Sequence, residues 1–228
     1  VGKSEQAGFI AVFPNGVSRA RNGMLATWNA GECCAQARDE DVDDVGFLRA
    51  VVADVRRRVS IDAGRIYAIG MSNGGMMAYR LACEASDVFS GIMAVAGTDN
   101  TRACEPARPV PILHVHARDD DRVLYEGGAG STFRRAELVN DFTSVPATIR
   151  KWVGLNRAKV TAQRVLAVPG AWCDLHPAGA GGAPVQLCVT ESGVHGWPGG
   201  RKIRDQAAPS QAIRANDVMW EFLSGLRQ

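Results

Sequence analysis

The chain has no run approaching the roughly 20 apolar residues that a bilayer-spanning helix needs, so no membrane partner is expected. It also lacks an excess of either charge. The 26 basic and 24 acidic residues leave a formal net charge of +2, too small to imply nucleic acid as a partner. The arginines are dispersed except for Arg56-Arg57-Arg58, which lies among apolar residues at helical spacing and reads as the solvated face of a helix. The six cysteines include no C-x-x-C pair, which argues against a structural zinc site. No initiator methionine and no charged segment followed by an apolar one opens the chain, so a trimmed form is expected and export is not read from a signal peptide.

What the chain does contain suits one compact domain over residues 1–228, with a hydrophobic fraction of 46% to build its core. Cys83 lies on a predicted helix and Cys104 in the loop beyond the next strand. A bridge between them would close a loop of about 20 residues and contribute ~3 kcal/mol. Cys173 and Cys188 flank a Gly/Pro-rich loop and form a second candidate pair. Two such pairs favour an oxidising compartment, secreted or periplasmic, over a cytosolic protein with six buried thiols.

Short apolar strands alternate with helices along the chain. The run Gly8 to Phe13, closed by Pro14-Asn15-Gly16, reads as a strand ending in a turn. Asp43-Asp44 precedes Val45, Phe47, Leu48, Val51, Val52 and Val55, an apolar face at helical spacing with acids at its positive end. Strands are expected at Arg65–Gly70, Gly91–Gly97, Pro111–His116 and Val185–Thr190. Ser144-Val145-Pro146 caps a helix through Trp152, and Asp217 to Leu226 is the closing helix. This order predicts an α/β fold with a mostly parallel sheet and helices on both faces.

Gly70-Met71-Ser72-Asn73-Gly74 matches G-x-S-x-G. The bare pattern is common, but its context is specific, because a serine nucleophile needs a strained strand-to-helix turn to lift its Oγ above the sheet. Ile66 to Ile69 supplies the strand and Gly75 to Ala82 the helix. The backbone N–H of Asn73, at the helix N-terminus, is then placed to bind a developing oxyanion.

Serine needs a base, and the chain has four histidines. His114 and His116 sit two apart on one face of an apolar strand. That reads as a buried, satisfied pair in preference to a two-ligand metal seed, since no third ligand is apparent. His176 lies in a Pro/Gly loop without supporting signal. His195 follows the last strand in a glycine-flanked loop and is late enough in the chain for the order Ser, Asp, His. The acid that holds its tautomer should follow a strand between Ser72 and His195. Asp119, Asp120 and Asp121 all do, as does Asp99 one strand earlier, and spacing does not separate them.

The segment Gly70 to Cys83 resembles the elbow of the polyhydroxybutyrate depolymerase-like esterases, a group that includes feruloyl and acetylxylan esterases. Trp28-Asn29-Ala30-Gly31 with Cys33-Cys34, Val42 to Leu48, and His195-Gly196-Trp197-Pro198-Gly199-Gly200 resemble it as well, in the same order. The resemblance implies an α/β-hydrolase fold, a secreted protein, and a catalytic segment H-G-x-x-D-x-x-V-P-Y. Tyr125 to Gly128 sets the register of that segment and puts the acid at Asp120. It further implies a strand ending in L-H-G, upstream of the first strand, whose loop gives a second oxyanion donor. This chain begins after that point. Three expectations follow: a fragment of a longer gene product, a contracted sheet with the Phe9 strand paired to the Ile66 strand, or a sheet completed by a second copy or another chain, the last two being favoured. The loop at Asn15-Gly16 is then a candidate donor.

The activity implied is hydrolysis of carboxylic esters through an acyl-enzyme, on a small-molecule or polymer ester substrate. Ser72 is the nucleophile, His195 the base, Asp120 the acid, and Asn73 an oxyanion donor. Trp28 and Trp197 are candidate walls of the substrate pocket, and no metal or organic cofactor is implied. The alternative is a non-catalytic binding protein of the same fold that lost turnover with its oxyanion loop.

Overall fold

The computed structural model describes residues 2–18, 26–131, 141–201 and 207–226. Six strands form one sheet in the order β1-β2-β3-β6-β5-β4: β1 Tyr67–Met71, β2 Gly91–Val95, β3 Ile112–Ala117, β4 Gln163–Val168, β5 Ala171–His176 and β6 Val185–Thr190. The first four in that order are parallel, and β5 and β4 run antiparallel at the far edge. The helices are α1 Gly2–Ala7, α2 Ala35–Asp39, α3 Asp44–Arg58, α4 Asn73–Glu84, α5 Val145–Leu155 and α6 Ala215–Ser224.

Side chains alternate across the sheet because successive Cβ atoms point to opposite faces. Met93, Val95, Leu113 and Val115 pack under Val218, Met219, Phe222 and Leu223 of α6. Their neighbours Ile92, Ala94 and Ile112 face the other way, against Ala78, Tyr79 and Ala82 of α4 and Ile149, Trp152 and Val153 of α5. Burial on both faces explains why β2 and β3 read as continuous apolar runs rather than alternating ones. A third cluster seats Val45 and Leu48 of α3 against Met76, Met77 and Leu81 on the outer side of α4.

The helix starts follow the local chemistry. Asp43 caps α3 by accepting from the Gly46 amide at 2.8 Å, and Ser144 caps α5 by accepting from the Ala147 amide at 3.2 Å, with Pro146 in the first turn. Arg56, Arg57 and Arg58 end α3 on its exposed side, where Arg57 and Arg58 pair with Asp54.

Two strand expectations need correction. Residues 9–16 form no strand. Phe9 stacks on Trp220 of α6 with ring centroids 5.1 Å apart, and Ile10, Val12 and Phe13 are exposed. An apolar run becomes a strand only where another strand accepts its amides, and β1 is bonded to β2 alone. The contracted sheet is therefore not formed: among the described residues the outer edge of β1 carries no partner, and Ile69 is 43% exposed there. Conversely, the hairpin β4–β5 occupies a stretch that the sequence left unassigned. It turns at Pro169-Gly170, with Gly170 at φ 81°. The alternation in β4 is masked because this edge strand is exposed at five of its six positions. His176 accordingly ends β5 rather than lying in a loop, with Nδ1 2.9 Å from the Lys159 carbonyl.

All six cysteines are paired: Cys83 with Cys104, Cys173 with Cys188, and Cys33 with Cys34. Cys173 and Cys188 are direct cross-strand partners, so their bridge ties the antiparallel edge to the parallel core. The Cys83–Cys104 bridge spans 21 residues and anchors the end of α4 to the loop after β2. Replacing both of those cysteines by serine should lower unfolding free energy by ~3 kcal/mol. Urea titration followed by tryptophan fluorescence checks this, and an unchanged midpoint would contradict it.

Candidate active site

Ser72 stands between the last residue of β1 and the first of α4, at φ 54° and ψ −125°. A side chain at positive φ is strained, and the surrounding bonds hold it there. The Ser72 amide donates to the Val95 carbonyl at 2.8 Å, and its carbonyl accepts from the Met76 amide at 3.0 Å. Two glycines make the turn possible. A Cβ on Gly70 would run into the backbone of Gly74, and one on Gly97 would run into the carbonyl of Ser72. The need at Gly97, just beyond β2, was not read from the sequence; a glycine closing the strand next to the elbow was its only signal. Among the described residues the Ser72 hydroxyl makes no hydrogen bond, and the N–H of Asn73 opens α4, where a helix has no internal acceptor for it.

The side chain of Asn73 has a separate task. It donates to the Trp28 carbonyl at 2.9 Å and accepts from the Trp28 amide at 2.7 Å. The next residue is held as firmly. The Asn29 amide donates to Asp44 at 2.6 Å, and Arg80 donates to the Asn29 carbonyl at 2.7 Å. Burial pushes the Asp44 carboxyl up, against the lowering effect of the Asn29 amide and the Arg80 charge. Trp28 is thus fixed beside the elbow and stacks on Phe47 at 6.3 Å. Asn15-Gly16 lies alongside, because Val17 and Thr27 exchange backbone bonds of 3.0 and 2.9 Å.

The second half of the site follows β3 and β6. His195 Nδ1 lies 3.1 and 3.0 Å from the two carboxylate oxygens of Asp120. Asp120 is 3% exposed and also accepts from the amides of Arg122 and Val123 at 2.9 and 3.0 Å. Burial alone would push its carboxyl up. The N–H groups of His116 and His195 outweigh that and hold it well below the usual carboxylate range. Since Asp120 occupies Nδ1, Nε2 is the nitrogen of His195 left for other chemistry.

The neighbouring acids separate clearly. Asp119 is not merely a solvated turn residue: it accepts from the Gly193 and Val194 amides at 3.3 and 2.9 Å and so ties down the loop that carries His195. Asp121 is exposed. Asp99 is committed elsewhere, to Thr101, the Trp152 indole at 2.9 Å and Lys151 at 2.8 Å. Trp197 lies against the cluster beneath α6 and donates to Asn216 at 3.1 Å. His114 and His116 are buried, and each ring nitrogen is within hydrogen-bond distance of Tyr79, of the other histidine or of the Val123 carbonyl, which leaves none for a metal ion.

Asp119 offers a test independent of any activity. Asp119→Ala removes the acceptor of two loop amides, so the Gly193 and Val194 amides should lose protection in hydrogen exchange, while global stability falls by only about 1 kcal/mol. Unchanged protection at both amides would contradict the anchoring role.

Residues 5–108 match the prolyl oligopeptidase family, Peptidase_S9. Feruloyl esterase B of Piromyces equi is 30% identical over 194 residues, covering 82% of this chain and 34% of that protein. A protein of Nocardia uniformis subsp. tsuyamanensis named as an esterase, NocK, is 30% identical over 218 residues, covering 89% of this chain and 63% of that protein. The chain therefore spans about one third and just under two thirds of the lengths of these two relatives. The acetyl xylan esterase structure from Aspergillus awamori superposes with a TM-score of 0.50 at 11% identity, over 79% of this chain and 66% of that one, a likeness of fold. The chain thus has an α/β-hydrolase-like fold and is similar in sequence to feruloyl esterase B and to NocK.

Proposed function

We propose that this protein is a serine esterase acting through an acyl-enzyme, with Ser72 as nucleophile, His195 as base and Asp120 as the acid that orients it. The observation that carries the reading is the Asp120–His195 pair, buried and directed through Nδ1, at the same end of the sheet as the strained Ser72 turn. With Asp120 accepting from Nδ1–H, Nε2 of His195 is unprotonated and takes the Ser72 proton as Oγ attacks the ester carbonyl. The N–H of Asn73 stabilises the oxyanion, and the backbone of Asn15-Gly16, packed beside Trp28, is the proposed source of a second donor. His195 then protonates the leaving alkoxide, and water repeats the sequence on the acyl group.

The relatives named as feruloyl and acetyl xylan esterases support phenolic or acetyl esters as substrates, free or attached to a polymer. Trp28, held beside the elbow, and Trp197, two residues from His195, are the proposed pocket walls. Three disulfides with no free cysteine support a secreted or periplasmic site of action. The second reading, a binding protein of this fold without turnover, draws on the Ser72 hydroxyl and the β1 edge having no hydrogen-bond partner among the described residues.

Hydrolysis of p-nitrophenyl acetate and methyl ferulate separates the two. Ser72→Ala and His195→Ala should each lower kcat by ~10⁴-fold, and a fluorophosphonate should label Ser72 alone. Background rates in the unaltered protein, with no label, would favour the binding protein.

A further inference from the structure

Behind Asp120 runs a line of buried polar groups that the mechanism above does not use. Tyr79 of α4 places its hydroxyl 2.9 Å from His114 Nδ1, and His114 Nε2 lies 3.0 Å from His116 Nδ1. His116 Nε2 lies 2.8 Å from the Val123 carbonyl and 3.3 Å from Asp120 Oδ2. The two imidazoles stack at 5.2 Å, 9° from parallel. Tyr79 and His114 are fully buried and His116 is 1% exposed, so water does not complete any of these bonds.

The protons can be assigned from one end. A carbonyl only accepts, so Nε2 of His116 carries hydrogen. Nδ1 of a neutral His116 then accepts, which puts hydrogen on Nε2 of His114. Nδ1 of His114 accepts in turn, and the Tyr79 hydroxyl donates. Every donor in the line points the same way, toward Val123 and Asp120. Burial supports the neutral state of the first two: it pushes the Tyr79 phenol far up and, with the nearby His116, the His114 imidazole far down.

We infer that His116, backed by His114 and Tyr79, is a positioning residue for the ester hydrolysis. Its Nε2–H shares itself between the Val123 carbonyl and Asp120 Oδ2, holding the carboxylate in the plane that faces His195 and taking up part of its charge. The inference rests on the proposed Asp120–His195 pair. It goes further in assigning to a buried strand pair the basicity that His195 experiences. Without the donor, the carboxylate binds the imidazolium more tightly and rotates more freely, so His195 titrates higher and turns over more slowly.

Other charged groups around the line are accounted for. Asp99, whose charge reaches Tyr79, is paired with Lys151 of α5. Arg118 lies over the Tyr125 ring at 5.3 Å, and that ring meets His116 edge-on at 6.0 Å. Asp119 is turned to the His195 loop. His195 contacts both oxygens of Asp120 through Nδ1.

The first test uses the unaltered protein. Imidazole nitrogen NMR at about pH 7 should find hydrogen on Nε2 and not on Nδ1 of both His114 and His116. Nδ1–H at either ring overturns the inference. The second test compares pH profiles of kcat/KM on p-nitrophenyl acetate. His116→Leu should raise the acid-limb pKa by about one unit and lower kcat about tenfold, whereas His116→Gln, which keeps an N–H at that position, should restore the limb. A folded His116→Leu protein with the unaltered profile overturns the inference while leaving the serine esterase reading intact. If that variant does not fold, the NMR result decides. Failure of the esterase reading shows separately, as hydrolysis by the unaltered protein no faster than by Ser72→Ala.

Discussion

Taking a carboxylate out of water costs several kcal/mol unless protein groups replace its hydration, and the arrangement around Asp120 meets that cost. Its two oxygens draw on the amides of Arg122 and Val123, on His195 and on His116. These donors come from the turn that follows β3, from the interior of β3, and from the loop after β6. Each must be placed before the charge can stay buried. The burial of Asp120 and the convergence of these segments are therefore one constraint. It also explains why β3 carries histidines at two inward positions where a parallel-sheet core would otherwise be aliphatic.

The sheet order sets the distance that the loops must bridge. β1, which leads to Ser72, lies two strands from β3, which leads to Asp120, and the His195 loop follows β6 on the far side of β3. With strands ~4.8 Å apart, the β6 loop has to fold back over β3 to bring an imidazole toward the elbow. Asp119 holds that return through the Gly193 and Val194 amides. On the other side the Asn73 side chain holds Trp28, while its amide opens α4 with no partner among the described residues. The site is thus built from loops that are bonded to one another at backbone level, rather than from side chains meeting across a cleft.

Much of this was legible as pattern. The two-face burial of β2 and β3, the start of α3 behind the acids Asp43-Asp44, the capped start of α5 at Ser144, and the strand–turn–helix context of Ser72 all follow from apolar spacing and short-range interactions. So did two of the three cysteine pairs. The failures have a common cause in long-range pairing. Gly8 to Pro14 has the composition of a strand but no strand beside it, while Gln163 to Val168 became one because β5 was there to bond it, although its side chains are nearly all exposed. Local composition reports what a segment tolerates; strand formation depends on a neighbour that composition does not name.

The acid shows where pattern gives out within a single turn. Asp119, Asp120 and Asp121 are equivalent by spacing, and only the family resemblance set the register at Asp120. The structure supplies the physical distinction. Consecutive side chains leaving a strand diverge, so two of the three are exposed, one of those reaching the neighbouring loop's backbone, and one turns inward. The inward position alone is also reachable from His116, four residues earlier, whose side chain occupies the same face of the sheet. A carboxylate at 119 binds loop amides, and one at 121 is exposed. The i, i+4 relation between His116 and Asp120 is thus a sequence-level feature that separates the inward acid from its neighbours once β3 is known to end at Ala117. A histidine facing inward on that strand points to its acid by the same geometry that buries it.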